Sequence, residues 1–170
     1  QPEAIDRAVQ VCSRFCTLIK QHEVEEIIAI ATTAVREAAN RGEFIQYIKD
    51  KCGLDIRIIS GLEEARLIYL GIASGMNLGD QQALLIDIGG GSTELIVGDK
   101  QQHYLLDSLK LGAIRLTNMF FKPHENEAVT PERYSLIQSY VRNTLVRTAQ
   151  RIQPYKIDVL LGSSGTILTL

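Results

Sequence analysis

The 170-residue sequence predicts an α/β protein. In its first half, short apolar runs alternate with amphipathic segments of helical period. In its second half, the pattern changes to apolar strands separated by turn residues. The links between elements are short, so the strand–helix–strand–helix part implies parallel pairing across helical crossovers, and the strand–turn–strand part implies antiparallel neighbours.

The elements follow in order. Ala4 to Lys20 reads as a helix, with Ile5, Ala8, Val9, Cys12, Phe15, Cys16 and Ile19 recurring at three- and four-residue spacing. Ile27 to Ala31 suits a short buried strand, and Thr32-Thr33 offer a cap for a helix from about Ala34 to Lys51. Asp55 to Ile59 is a second strand, Ser60-Gly61 a turn, and Leu62 to about Met76 a helix. After Asn77-Leu78-Gly79-Asp80, strands at Ala83 to Ile88, Glu94 to Val97 and His103 to Leu109 form an antiparallel meander. A helix at Ala113 to Phe121, a loop through Pro123 and Pro131, and a long helix from Glu132 to Gln153 come next. The strand Ile157 to Leu161 then runs into Gly162-Ser163-Ser164-Gly165-Thr166.

Two lobes dividing near residue 80 are expected, 1–80 in one and 81–170 in the other. The first has no meander of its own, and the second opens a strand–turn–helix unit without closing it. The expectation is therefore a fragment truncated at both ends.

With 45% hydrophobic and 22% charged residues, the composition is that of a globular protein with a core. A formal net charge of -2 gives no field that would gather nucleic acid or an anionic membrane, so any phosphate must be bound by local donors. No apolar run approaches the roughly 18 residues of a membrane span, and the N-terminal residues lack the basic-then-apolar layout of a signal peptide; a cytoplasmic location is expected. Cys12, Cys16 and Cys52 lack metal-site spacing and are expected to be buried thiols.

The densest chemical signal is Asp87-Ile88-Gly89-Gly90-Gly91-Ser92-Thr93-Glu94, between two apolar runs. Consecutive glycines let backbone N–H groups reach an anion where a Cβ would intrude, and Ser92 and Thr93 add hydroxyl donors. Asp87 is a charge inside an apolar strand, costly unless it is paired or holds a metal. A glycine-rich hairpin with Asp87 in a salt bridge gives the same pattern. It is not a Walker motif, because no Lys follows the glycines and no helix starts there.

Ser60 and Glu63 stand in capping-box register, which gives Glu63 a structural task and leaves Glu64 without one. Glu64 is either a surface acid favoured by the helix dipole or a functional carboxylate. Arg36 is expected in the first turn of a helix, where the dipole disfavours a cation; a bound phosphate would remove the conflict, and a solvated surface position would also account for it. Gly162 to Thr166 follow an apolar strand and suit phosphate or nucleoside contact at a helix start, as do many Gly/Ser turns.

In this order, TTAVREA, ISGLEEARLIYLG, LLIDIGGGSTELIVG and LLGSSGT resemble the exopolyphosphatase / guanosine pentaphosphate phosphatase family across essentially the whole chain. The resemblance implies an actin-like (ribonuclease H-like) fold whose two lobes close over a phosphate chain and a divalent metal, here Mg2+ or another divalent cation. It implies Glu64 as the base that activates water, Glu94 as a holder of water or metal, and Asp87 as a metal ligand. Gly89, Gly90, Gly91, Ser92 and Thr93 would bind phosphate, and Arg36 would face the phosphate chain.

The substrate implied is polyphosphate, or alternatively guanosine pentaphosphate, with no nucleic acid or membrane partner and with a homodimer left open. The family pattern begins with a DxGSNS-type loop that this sequence does not contain, which fits either a longer natural protein or a reduced relative. The 170 residues alone are expected to be inactive. An ATP-using kinase of the same superfamily would need an acceptor pocket, whereas paired Glu64 and Glu94 favour water as the nucleophile. A non-catalytic phosphate-binding module is the third reading.

Overall fold

The computed structural model of the chain describes residues 2–122 and 128–169; Pro123, expected in a loop, lies outside them. The chain forms two compact units, Gln1–Ile59 and Ser60–Leu170.

In the first unit, α1 (Pro2–Gln21) packs on α3 (Arg41–Cys52), and β1 (Ala29–Ala31) pairs in parallel with β2 (Ile56–Ile58). The helix expected over residues 34–51 is two pieces. A short α2 (Thr33–Arg36) ends in tight backbone bonds, Ala38 N–H to the Val35 carbonyl and Arg41 N–H to the Ala38 carbonyl, before α3 starts. These i→i−3 contacts wind the chain out of α-helical register. Gly53, in the left-handed region at φ 69°, ends α3 by donating to the Lys49 carbonyl. The first strand is shorter than its apolar run: Ile27 and Ile28 precede β1 and are exposed. The three cysteines are half-buried rather than buried, with the Cys16 thiol donating to the Cys52 carbonyl at the α1–α3 contact.

The second unit is a four-stranded sheet of order β5-β4-β3-β6. Its strands are β3 (Ala83–Ile88), β4 (Thr93–Gly98), β5 (His103–Leu109) and β6 (Val159–Ser163). As expected, β3, β4 and β5 form an antiparallel meander; β6 joins β3 in parallel after the long α6 (Pro131–Ile152). Because β6 aligns with β3 from Ala83 opposite Val159, it starts two residues later than its apolar run and takes in Gly162 and Ser163.

Helix α4 (Gly61–Gly75) packs on β4 and β5. Ala65 and Tyr69 of α4 meet Ala83 and Leu85 of β3 and Ile96 of β4 in one buried cluster. Strand side chains alternate between faces, so Ala83 and Leu85 put Asp87 next on the face that α4 covers. The compact units and the lobes expected from the sequence are drawn at different places, because α4 packs with the sheet that follows it.

On the other face, α6 packs against β5 through Asp107, which accepts from Thr148 Oγ1 at 2.7 Å and Arg151 Nη1 at 2.9 Å. Covered from both sides, all six residues of β4 are buried. Among the described residues, no helix is long and apolar enough to cross a membrane.

Candidate active site

The register of the second sheet sets four polar residues in a row. Asp87 is the direct partner of Glu94, Glu94 of Ser108, and Asp87 of Ser163. Direct cross-strand partners share a face, so these four side chains lie side by side on the α4 side, as the last rung of the core. Ser108 Oγ donates to Glu94 Oε1 at 2.8 Å, and Ser163 Oγ donates to Asp87 Oδ2. The cost of placing Asp87 in an apolar strand is thus met in part by a hydroxyl from the neighbouring strand, not by a salt bridge among the described pairs.

Glu94 is 1% exposed. Burial pushes its carboxyl above the usual carboxylate range; hydrogen bonds from Ser108 and Ser92 offset part of this, and the charges of Glu64 and Asp87 push it up again. Glu64 is therefore close enough to be felt at Glu94.

The helix explains why. Tyr69 of α4 lies over the far end of the β4–β5 hairpin, with its hydroxyl on the Asp99 carbonyl at 2.8 Å and its ring edge-on to His103. The first turn, five residues back, accordingly lies toward the Glu94 end. That turn is fixed by Ser60, whose Oγ accepts from the Glu63 N–H at 3.1 Å, while the Glu63 carboxylate grips Arg66 at 2.7 and 2.8 Å. The two adjacent acids are divided in role: Glu63 holds its own helix, and Glu64 is half-buried at the carboxylate cluster.

The glycine loop sits at the tip of the β3–β4 hairpin as expected, closed by Gly89 N–H to the Ser92 carbonyl at 2.9 Å. Its outward carbonyls are held by α5 (Ala113–Phe120). Ala113 N–H donates to Gly89 O at 3.0 Å and Arg115 N–H to Gly90 O at 2.9 Å, while Arg115 Nε donates to Gly91 O at 2.7 Å. In a trans peptide the C=O and the following N–H point in opposite directions. The N–H groups of Gly90, Gly91 and Ser92 are consequently turned away from α5, as a set of backbone donors suited to an anion.

The need for glycine here is partly internal. A Cβ on Gly112 would stand 2.4 Å from Gly90 O, and one on Gly90 would meet Ile114 Cδ1 at 2.9 Å. Thr93 differs from the expectation. Its side chain lies on the opposite face from Glu94, and its hydroxyl donates to the Leu111 carbonyl at 2.7 Å, so it anchors the hairpin to the segment before α5.

Arg36 belongs to the first unit and closes α2 instead of opening a helix, so the dipole conflict expected of it does not arise. Its guanidinium donates to the Ile59 carbonyl at 2.8 Å and Thr33 Oγ1 at 2.6 Å. Of the Gly162 to Thr166 stretch, Ser163 reaches Asp87, and Ser164 turns the chain at φ 77° into the four-residue α7 (Gly165–Leu168). Ser108, Gly112 and Arg115 were not singled out from the sequence, and Ser163 was named only within the Gly162 to Thr166 stretch, not as a partner of Asp87. Ser108 and Ser163 owe their place to strand register, and Gly112 and Arg115 to the docking of α5.

Among the described residues, no three His, Cys, Asp or Glu side chains are arranged as a complete protein ligand set for a metal. Magnesium is commonly held by one or two carboxylates, with phosphate oxygens and water filling its octahedron. Asp87 and Glu94, direct partners on the sheet, fit that two-carboxylate mode, since a divalent cation would relieve the repulsion between them.

Carboxylates set beside a loop of backbone donors, at the end of a mixed sheet, suit a site for a phosphate group and a divalent cation. The chain belongs to the Ppx/GppA phosphatase family, which matches residues 1–170. It is similar to an exopolyphosphatase from Cytophaga hutchinsonii, at 32% identity over 99% of this chain and 53% of that one, with a TM-score of 0.92. An exopolyphosphatase-like protein is 30% identical over 99% of this chain and 53% of its own, with a TM-score of 0.89. The Ppx/GppA family member of Aquifex aeolicus is 30% identical over 99% and 52%, with a TM-score of 0.74. The chain spans about half the length of these structures. The actin-like fold class expected from the motifs accords with this membership.

Proposed function

We propose that the whole gene product releases the terminal phosphate of inorganic polyphosphate by metal-assisted attack of water, with Glu64 as general base. The observation that carries this reading is the pairing of Asp87 with the buried Glu94 at the foot of the glycine loop, where the charge of Glu64 is also felt. In the reaction, Glu64 takes a proton from water as its oxygen bonds to the terminal phosphorus. The bond from that phosphorus to the bridging oxygen breaks, leaving orthophosphate and a chain one phosphate shorter. Asp87 and Glu94 would hold the divalent cation, which when bound neutralises charge on the phosphate oxygens.

The amides of Gly90, Gly91 and Ser92 supply fixed donors to the same oxygens, and fixed donors of this kind cost no reorganisation as charge develops. Ser108 and Ser92 keep Glu94 oriented.

Phosphate release from polyphosphate and from guanosine pentaphosphate, assayed side by side with magnesium, tests the proposal. Turnover of polyphosphate with little release from the nucleotide is expected. Release from the nucleotide alone would reassign the substrate, and release from neither would remove the hydrolase reading.

A further inference from the structure

We propose that Arg115 is a positioning residue: through Gly91 it fixes the direction of the backbone donors of the glycine loop without itself touching the phosphate. The inference rests on the functional reading above, which makes those donors the anion cradle. Three successive loop carbonyls point to one helix start, and each is taken by a different donor: the Ala113 N–H, the Arg115 N–H and the Arg115 Nε. The first two belong to the α5 backbone. Only the third is a side chain, and it sets the Gly91–Ser92 peptide, whose N–H is the last donor before the strand that carries Glu94.

The fit between loop and helix is close enough to need glycine on both sides. Gly112 lies with its Cα against the Gly90–Gly91 peptide, where a Cβ would stand 2.4 to 2.6 Å from backbone atoms. Without the Arg115 bond, the Gly91–Ser92 peptide loses a partner for its carbonyl and has on its N-terminal side a glycine, whose dihedral angles are the least restrained, so its plane is freer to turn. A donor that must be ordered during the reaction contributes less than one already aimed.

Two substitutions of similar length separate bracing from direct contact. In Arg115→Gln, Nε2 sits at the same position along the side chain as the arginine Nε and keeps an N–H for Gly91 O while losing the charge. Arg115→Met keeps the stem and removes the donor. Measured on the whole gene product with polyphosphate, Gln is expected to hold kcat within about threefold of wild type. Met should lower kcat by about tenfold or more, less than the roughly 100- to 1,000-fold seen when a donor to a developing anion is removed outright, while KM moves less than kcat.

Gly112→Ala disturbs the same loop without altering the guanidinium and should also lower kcat; thermal melting checks that each variant is folded. A Gln variant as impaired as Met would show that the charge acts directly, and a Met variant equal to wild type would show that the brace is dispensable. Either result overturns the positioning role. Loss of the functional reading is separate: in that case wild type releases no phosphate at all.

Discussion

Asp87 and Glu94 face each other directly across the glycine hairpin, the fifth and second residues of adjacent antiparallel strands. Two acids with six residues between them in the sequence, on either side of a four-residue loop, thereby become a single feature, two carboxylates on one face at the foot of a set of backbone donors. Ser163 and Ser108 extend the row on either side, each bonding the acid next to it.

Glu94 should make folding less favourable at neutral pH. Its folded-state value is raised above the ordinary 4.5, chiefly by burial, with Glu64 and Asp87 adding to the rise. The stability that this group contributes is full below the ordinary value and is lost as pH rises through the folded value. In a chelator-containing buffer, Glu94→Gln is expected to melt higher than wild type at pH 7 to 8, with the gap closing toward about pH 4 as wild-type Glu94 becomes neutral. A wild type more stable than the variant at neutral pH would contradict the assignment of burial as the leading cause.

The start of α4 should depend on Ser60 more than on Glu63. Ser60→Ala removes the hydroxyl that accepts from the Glu63 N–H and should cost about 1 kcal/mol, whereas Ser60→Gly should cost only a few tenths. Glu63→Ala loses a partly exposed ion pair with Arg66, for which about 0.5 kcal/mol or less is expected. Urea unfolding of the three variants ranks them, and a larger loss at Glu63 than at Ser60 would reverse the division of roles.

Removal of divalent cations with EDTA should abolish phosphate release, and added magnesium should restore it. Ser163→Ala deprives Asp87 of its hydroxyl partner. Loss of such an outer contact typically weakens metal binding by about 10- to 100-fold, so the magnesium concentration at half-maximal rate should rise by roughly tenfold. An unchanged magnesium dependence would mean that Asp87 does not hold the metal.

Much of this was legible in the sequence because period and turn chemistry are local. The meander from Ala83 to Leu109 and helix α4 were placed within a residue or so, and the glycine run fell at the hairpin tip. Long-range matters were not legible. The break between α2 and α3 has no glycine or proline at Ala38 or Ala39 to announce it. The bond from Arg36 to Ile59 joins residues 23 apart, and that from Ser163 to Asp87 joins residues 76 apart. Thr93 looked like a phosphate donor beside Ser92, but alternation along β4 turns its hydroxyl to the other face. Glu64 was distinguished from Glu63 only by the capping register and the family resemblance; the structure adds its closeness to Glu94.

The central claim, that Glu64 activates water beside Asp87 and Glu94, is tested most directly by steady-state hydrolysis of polyphosphate by Glu64→Gln in the whole gene product, paired with equilibrium binding of polyphosphate to the same variant. Turnover should fall by roughly a hundredfold or more, the usual scale for losing a general base, while binding is largely kept. Near-normal turnover with binding intact would contradict it.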